Sequence, residues 1–108
     1  MGLWDSVDTL GSTPDSREGA RACLLGSHIY VFGGFSRDLF KEVRYANLND
    51  FRWKLVPPKE TDNDPSGRYN HTMCPYADRY LVVFGGAGQY LKSMSIRQCL
   101  SGLYILDA

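Results

Sequence analysis

The chain has 108 residues, 44% of them hydrophobic, and its 12 Lys and Arg residues balance 12 Asp and Glu residues. That length allows one small domain, and zero net charge gives no general attraction to nucleic acid or to an anionic membrane surface. The longest apolar runs, such as residues 81–84, have the length of a strand, so the sequence predicts no membrane span.

Short β-rich runs separated by turn residues follow one another along the chain. No long segment carries apolar residues at the three- and four-residue spacing of a helix. The runs 29–32 and 81–84 are apolar at every position, which is typical of strands buried on both faces. The predicted strands span residues 3–8, 19–25, 28–33, 42–48, 52–56, 70–76, 79–84 and 102–107.

The sequence contains an internal repeat with a period near 50 residues. Four landmarks recur in the same order: a Pro-x-x-Arg, a cysteine, an apolar run ending in Gly-Gly, and a tryptophan. Such ordered recurrence indicates that one structural unit is used twice. The corresponding positions are Arg17 and Arg68, Cys23 and Cys74, residues 30–34 and 82–86, and Trp4 and Trp53.

With these landmarks the sequence resembles the kelch-repeat family over essentially its whole length, and the period matches the roughly 50 residues of a kelch repeat. The resemblance implies blades of four strands, with the arginine before the first strand and two glycines after the second. An aromatic residue is then expected in the third strand and a tryptophan in the fourth. The first repeat supplies Arg17, Gly33, Gly34, Tyr45 and Trp53, and the second supplies Arg68, Gly85, Gly86 and Tyr104.

The predicted fold is therefore all-β, a kelch-type β-propeller fragment of about two four-stranded antiparallel blades. Residues 1–12 are predicted to hold the outer strand of a preceding blade, residues 13–58 the first full blade, and residues 59–108 a second blade lacking its last strand. Isolated blades leave apolar faces in water. We therefore expect the remaining blades to come from a longer chain or from other copies, three of which would close a ring of six blades.

Each landmark has an architectural explanation. Paired glycines allow positive φ and a close approach of backbone. An arginine offers five donors for loop carbonyls, and a tryptophan brings a large apolar area to pack between blades. Cys23 and Cys74 are expected to be buried, inert thiols in the middle of strands. The three cysteines form no Cys-x-x-Cys pair, which favours a reducing, cytoplasmic location.

The sequence predicts no catalytic residue, no cofactor and no metal site. Residues 85–88 are glycine-rich but lack the Gly-Lys-Ser/Thr of a phosphate-binding loop, and no serine lies in a Gly-x-Ser-x-Gly. Some kelch-like propellers are oxidases with copper held by tyrosines and histidines. The sequence does not place Tyr45, Tyr104 and His71 together in such a site.

Function in a propeller is expected in the loops, because the blades are occupied with packing. The resemblance implies that partners bind the connections 35–41, 57–67 and 87–101. The last is the longest, and its mixture of aromatic, basic and apolar residues is typical of interface hot spots. The residues predicted to contact a partner are Arg37, Asp38, Tyr90, Lys92 and Arg97.

The predicted function is a non-enzymatic scaffold for protein–protein interaction, such as an adaptor or substrate receptor. The expected partners are proteins, with no nucleic acid and no membrane. Two alternatives stay open at this point. One is a propeller-type enzyme, either an oxidase or a sugar-modifying enzyme, and the other is a structural subunit of a large complex.

Overall fold

The computed structural model describes residues 2–57 and 63–108, and the described residues form ten strands and no helix. No helix that could cross a membrane occurs in these two ranges. The strands are β1 (Leu10–Gly11), β2 (Arg21–Leu25), β3 (His28–Phe32), β4 (Val43–Asn47), β5 (Arg52–Leu55), β6 (Thr72–Tyr76), β7 (Tyr80–Phe84), β8 (Ala87–Leu91), β9 (Ile96–Cys99) and β10 (Leu103–Asp107).

The first sheet has the order β1-β5-β4-β3-β2, in which β2 to β5 form an antiparallel meander. The short β1 lies parallel to β5, where Leu10 and Gly11 pair with Arg52 and Trp53. The strand predicted over residues 3–8 is wrong: residues 2–9 contain no strand, and Trp4 is 99% exposed. A strand needs a sheet edge to supply its hydrogen bonds, and among the described residues only 10–11 reach the outer edge of β5.

The second sheet has the antiparallel order β10-β7-β6. Between β7 and β10 the chain forms a separate antiparallel hairpin of β8 and β9, which pairs Tyr90 with Arg97. The connection 87–101, predicted as a loop, is therefore largely a β-hairpin. Its tip turns at Ser95, which has a φ of 53°.

The core lies between one face of each sheet. Phe32 of the first sheet packs with Met73 and Val83 of the second, and Cys23 and Tyr104 line the same layer. Adjacent strands place these side chains together because Met73, Val83 and Tyr104 are direct cross-strand neighbours. The two repeats therefore stack face to face.

The opposite faces of both sheets are only partly covered. On the second sheet Phe84, Leu103 and Ile105 are exposed, so residues 81–84 are not buried on both faces as predicted. On the first sheet Trp53 pairs with Ala46 on the face turned away from the second sheet, and it is half-buried. Trp53 thus does not lie between the two sheets of this chain, and its packing against a neighbouring blade stays a prediction.

Two further details differ from the sequence-based prediction. Cys23 is half-buried as part of the core, but Cys74 is exposed, because its strand position faces away from the first sheet. Tyr104 is not the counterpart of Tyr45. Tyr45 pairs with Tyr30 in the first sheet, whereas Tyr104 pairs one position nearer the diglycine, with Val83.

Candidate functional site

Each repeat has an arginine clamp at the corner where its second strand ends, β3 in the first repeat and β7 in the second. In the first repeat the Arg17 Nη1 donates to the carbonyl of Gly33 at 3.1 Å, and its Nε donates to the carbonyl of Asp15 at 3.0 Å. In the second, Arg68 Nη1 donates to the carbonyl of Gly85 at 3.1 Å. Its Nε donates to the carbonyl of Ser66 at 3.0 Å. The two repeats thus share one atomic arrangement, as the landmark spacing predicts.

The residue after each diglycine is fixed by the residue after each arginine. Phe35 and Glu18 exchange backbone hydrogen bonds of 2.8 and 3.0 Å, and Ala87 and Tyr69 exchange bonds of 2.9 and 3.0 Å. The clamps therefore set the direction in which both second-to-third-strand connections leave their sheets.

The glycines are required at these corners. Gly33 and Gly34 have φ values of 78° and 103°, and a Cβ on Gly33 would lie 2.5 Å from the carbonyl oxygen of Arg68. Because Gly33 has no Cβ, the amide of Gly34 can donate to the same oxygen at 2.7 Å. The corner of the first sheet is thereby tied to the start of the second.

The two connections meet in a cleft of about 300 Å³, which we call the loop cleft. One wall is the turn 35–39, and the other is the β8–β9 hairpin. All five side chains that the sequence predicts as partner contacts line it, from residues more than 50 positions apart. The lining residues are Phe35, Arg37, Asp38, Leu39, Gln89, Tyr90, Lys92 and Arg97.

Arg97 is the charged group of the cleft that lies beside three aromatic rings. The centre of its guanidinium lies 5.7 Å from the ring centroid of Phe35, 5.6 Å from that of Tyr69 and 5.5 Å from that of Tyr90. Its Nη1 donates to the carbonyl of Gly88 at 3.1 Å. Three aromatic rings and one carbonyl thus hold the half-buried cation at the wall of the cleft.

The cleft carries an excess of positive charge. Arg37 and Lys92 are exposed, and neither they nor Arg97 form an ion pair with any residue in the described ranges. Among the described residues of the lining, Asp38 carries the single carboxylate. Three cations facing one anion leave the cleft able to attract a negatively charged ligand.

Sequence reasoning named the charged side chains of this site but missed its aromatic support. Phe35 stands directly after Gly33-Gly34, and Tyr69 stands directly after Arg68. Their rings contact each other at a centroid distance of 5.7 Å. No local pattern predicts that these positions meet, since their contact depends on how the two sheets stack. The connection 57–67, also predicted to bind partners, lies partly outside the described residues, which omit 58–62.

Comparison with known proteins agrees with this geometry. The family model described as the KLHDC2/KLHL20/DRC7 Kelch-repeats domain matches residues 2–108. The chain belongs to the kelch-repeat family. The arginine clamps and diglycine corners described above are therefore kelch landmarks in their structural setting.

Similar proteins come from plants and animals. The chain is 29% identical over 106 residues to acyl-CoA-binding domain-containing protein 5 of Arabidopsis thaliana. This match covers 96% of this chain and 15% of that protein. It is 31% identical over 85 residues to Kelch domain-containing protein 2 of Bos taurus, covering 78% of this chain and 20% of that protein. The chain thus spans at most a fifth of these two curated relatives.

A second cleft of about 370 Å³ lies where the first sheet meets the end of β10. His28, Tyr30 and Tyr45 line it, with Tyr30 stacked on Tyr45 at 5.3 Å. Burial raises the pKa of Tyr30, and the neighbouring Tyr45 adds to this rise. The described lining of this second cleft includes one aspartate and no lysine or arginine, whereas the described lining of the loop cleft includes three basic side chains.

The three residues of the alternative copper site have different neighbours in the kelch core. His71 is 2% exposed and packs edge-on against Phe32 at a ring distance of 5.1 Å, while Tyr45 stacks on Tyr30 and Tyr104 lies under Arg68. Burial lowers the pKa of His71 to about 4, the nearby Arg21 and Arg68 add to the decrease, and the backbone of Phe32 partly offsets it. Within the described ranges, no three histidine, cysteine or acidic side chains are grouped as metal ligands.

Proposed function

We propose that this kelch domain is a non-enzymatic protein-interaction scaffold that binds a protein partner in the loop cleft. The observation that carries the proposal is the convergence of two distant connections on one concave surface. Arg37 and Asp38 come from the first repeat, and Tyr90, Lys92 and Arg97 come from the second. Kelch repeats generally mediate interactions between proteins.

The composition of the cleft supports this role. Tyrosine and arginine are enriched among the residues that contribute most to protein interfaces, and here they lie side by side on β8 and β9. The cage around Arg97 fixes its position before a partner binds, which reduces the entropy lost on association. We further propose an adaptor or substrate-receptor role in the cytoplasm, for which the exposed, unpaired Cys74 and Cys99 fit a reducing compartment.

Affinity capture with quantitative mass spectrometry tests the proposal. Wild-type chain is compared with Tyr90→Ala, and with Tyr76→Ala as the matched control. Tyr90 is 49% exposed in the cleft, and Tyr76 is 64% exposed on the outer face of the second sheet. Both substitutions remove an exposed tyrosine, so they should change the melting temperature little.

We expect partner proteins to be lost by at least about tenfold with Tyr90→Ala and retained with Tyr76→Ala, which corresponds to about 1.4 kcal/mol of binding energy. A partner retained by both variants would place the interaction outside the cleft. A partner lost only with Tyr76→Ala would assign it to the outer sheet face and contradict the proposal.

A further inference from the structure

The loop cleft has an excess of positive charge, although the chain as a whole has no net charge. The whole sequence has equal numbers of basic and acidic residues, yet in the described lining Arg37, Lys92 and Arg97 face one carboxylate, that of Asp38. Elsewhere, arginines such as Arg17 and Arg79 are paired with Glu42 and Asp107. Uncompensated cations at a concave surface favour an anionic ligand.

Arg97 is held in a way that suits one kind of anion. A guanidinium presents a planar fork of donors that matches a carboxylate with two parallel hydrogen bonds. The Nη1 of Arg97 already donates to the carbonyl of Gly88. The Arg97 side chain makes no other hydrogen bond with a described residue. The rings of Phe35, Tyr69 and Tyr90 limit its rotamers, so little side-chain entropy remains to be lost when a ligand binds.

The cleft also has apolar surface beside its charges. The partly exposed Phe35 and Leu39 form one wall and the ring of Tyr90 the other. A peptide segment presents carboxylates and apolar groups a few ångströms apart, as this lining requires. Nucleic acid binding depends on an extended basic surface that contacts many phosphates. The basic residues described here are instead confined to the loop cleft, which has a volume of about 300 Å³.

We infer that the loop cleft recognises an acidic protein segment, with a carboxylate side chain of the partner on the guanidinium of Arg97. Further acidic side chains of the segment lie towards Arg37 and Lys92, and its apolar side chains contact Phe35 and Tyr90. This inference rests on the proposed function, since it names the chemistry of the partner that the cleft binds.

Fluorescence anisotropy with defined peptides tests the inference. The probe is a labelled peptide of about ten residues that alternates glutamate with glycine and ends in an amide, so that only side-chain carboxylates are offered. The comparison peptide has glutamine at every glutamate position. Each is titrated with the chain carrying the wild-type sequence, Arg97→Gln, Arg97→Lys, or Lys54→Gln, which removes an exposed lysine outside the cleft.

The glutamate peptide should bind at least about tenfold more tightly than the glutamine peptide, and Arg97→Gln should remove this preference. Arg97→Lys should restore only part of it, because an ammonium keeps the charge but lacks the fork. Lys54→Gln should bind like the wild type. Raising the salt concentration should weaken binding of the glutamate peptide.

Several results would overturn the inference. One is equal binding of the two peptides. Another is the absence of binding up to about 1 mM, and a third is tighter binding of a single-stranded RNA of similar length. In each case the capture experiment with Tyr90→Ala still reports separately whether the cleft binds a protein, so the two proposals fail independently.

Discussion

Replacing Arg68 with methionine should destabilise the chain by about 2–4 kcal/mol. Arg68 is 1% exposed and donates to the carbonyls of Ser66 and Gly85 and to the hydroxyl of Ser66 at 3.3 Å. Hydrogen bonds from a charged donor contribute about 1.5–3 kcal/mol each, and their loss leaves a buried carbonyl without a partner. Methionine keeps much of the apolar stem and removes the cost of burying a cation, which lowers the total below the simple sum.

Urea unfolding followed by tryptophan fluorescence, at one fixed protein concentration, measures the effect. Arg68→Lys separates charge from geometry, because one ammonium cannot reproduce the fork that bridges two loop segments. We expect it to be destabilised nearly as much as Arg68→Met. Arg79→Met is the control, since the ion pair of Arg79 with Asp107 is exposed and its loss should leave the midpoint nearly unchanged. Arg68→Met within about 0.5 kcal/mol of the wild type would refute the clamp as a stabilising element, and wild-type stability of Arg68→Lys would refute the importance of its geometry.

Three further predictions concern stability and association. Trp53→Ala should cost about 1.5–2.5 kcal/mol, less than a fully buried tryptophan, because Trp53 is half-buried. Its urea unfolding is followed by far-ultraviolet circular dichroism, since the remaining Trp4 is 99% exposed and its fluorescence would not report unfolding. A loss above about 4 kcal/mol would show that the face carrying Trp53 is covered in solution. Burial lowers the pKa of His71 to about 4 in the folded chain, from an ordinary value of 6.5. Between these two pH values the unfolded chain therefore binds more protons than the folded chain. The free energy of unfolding should fall by about 2–3 kcal/mol as the pH drops from 6.5 to 4. His71→Gln should lose this part of the pH dependence and His28→Gln should keep it, and identical pH profiles for the wild type and His71→Gln would contradict the assignment. The exposed apolar face around Phe84 and Ile105 should make the chain self-associate, and Ile105→Lys should shift its mass by light scattering towards the monomer; a wild-type monomer would contradict this.

The repeat could be predicted from the sequence because its landmarks are local. Arginine, diglycine and the strand between them lie within about 20 residues, and their roles follow from donor number and backbone freedom. Arg17 and Arg68 donate the same hydrogen bond, to the carbonyls of Gly33 and Gly85 respectively. The family and the all-β class are confirmed.

The errors arose where structure depends on long-range partners. Trp4 has the right spacing for a fourth strand, but no sheet edge in the described chain pairs with it. Tyr104 was matched to Tyr45 by residue type, whereas strand register places it one position away, and a one-residue shift moves a side chain to the other face.

The candidate site was predictable in part. Loop composition identified Tyr90 and Arg97 as partner contacts, and this role stays a prediction. Their pairing across a hairpin could not be deduced, because the composition of residues 87–101 predicts an irregular loop. The cage formed with Phe35 and Tyr69 depends on the stacking of two sheets, which no single repeat encodes.

Site-specific photocrosslinking tests the loop cleft as the partner-binding surface most directly. A benzophenone amino acid replaces Tyr90 in one sample and Tyr76 in another, and the chain is irradiated in cell extract before denaturing purification and mass spectrometry. We expect partner proteins to be crosslinked from position 90 and to be absent or at least about tenfold weaker from position 76. Arg97→Gln should reduce the crosslinks from position 90. Crosslinks obtained from position 76 alone would show that the outer face of the second sheet, and not the loop cleft, binds the partner.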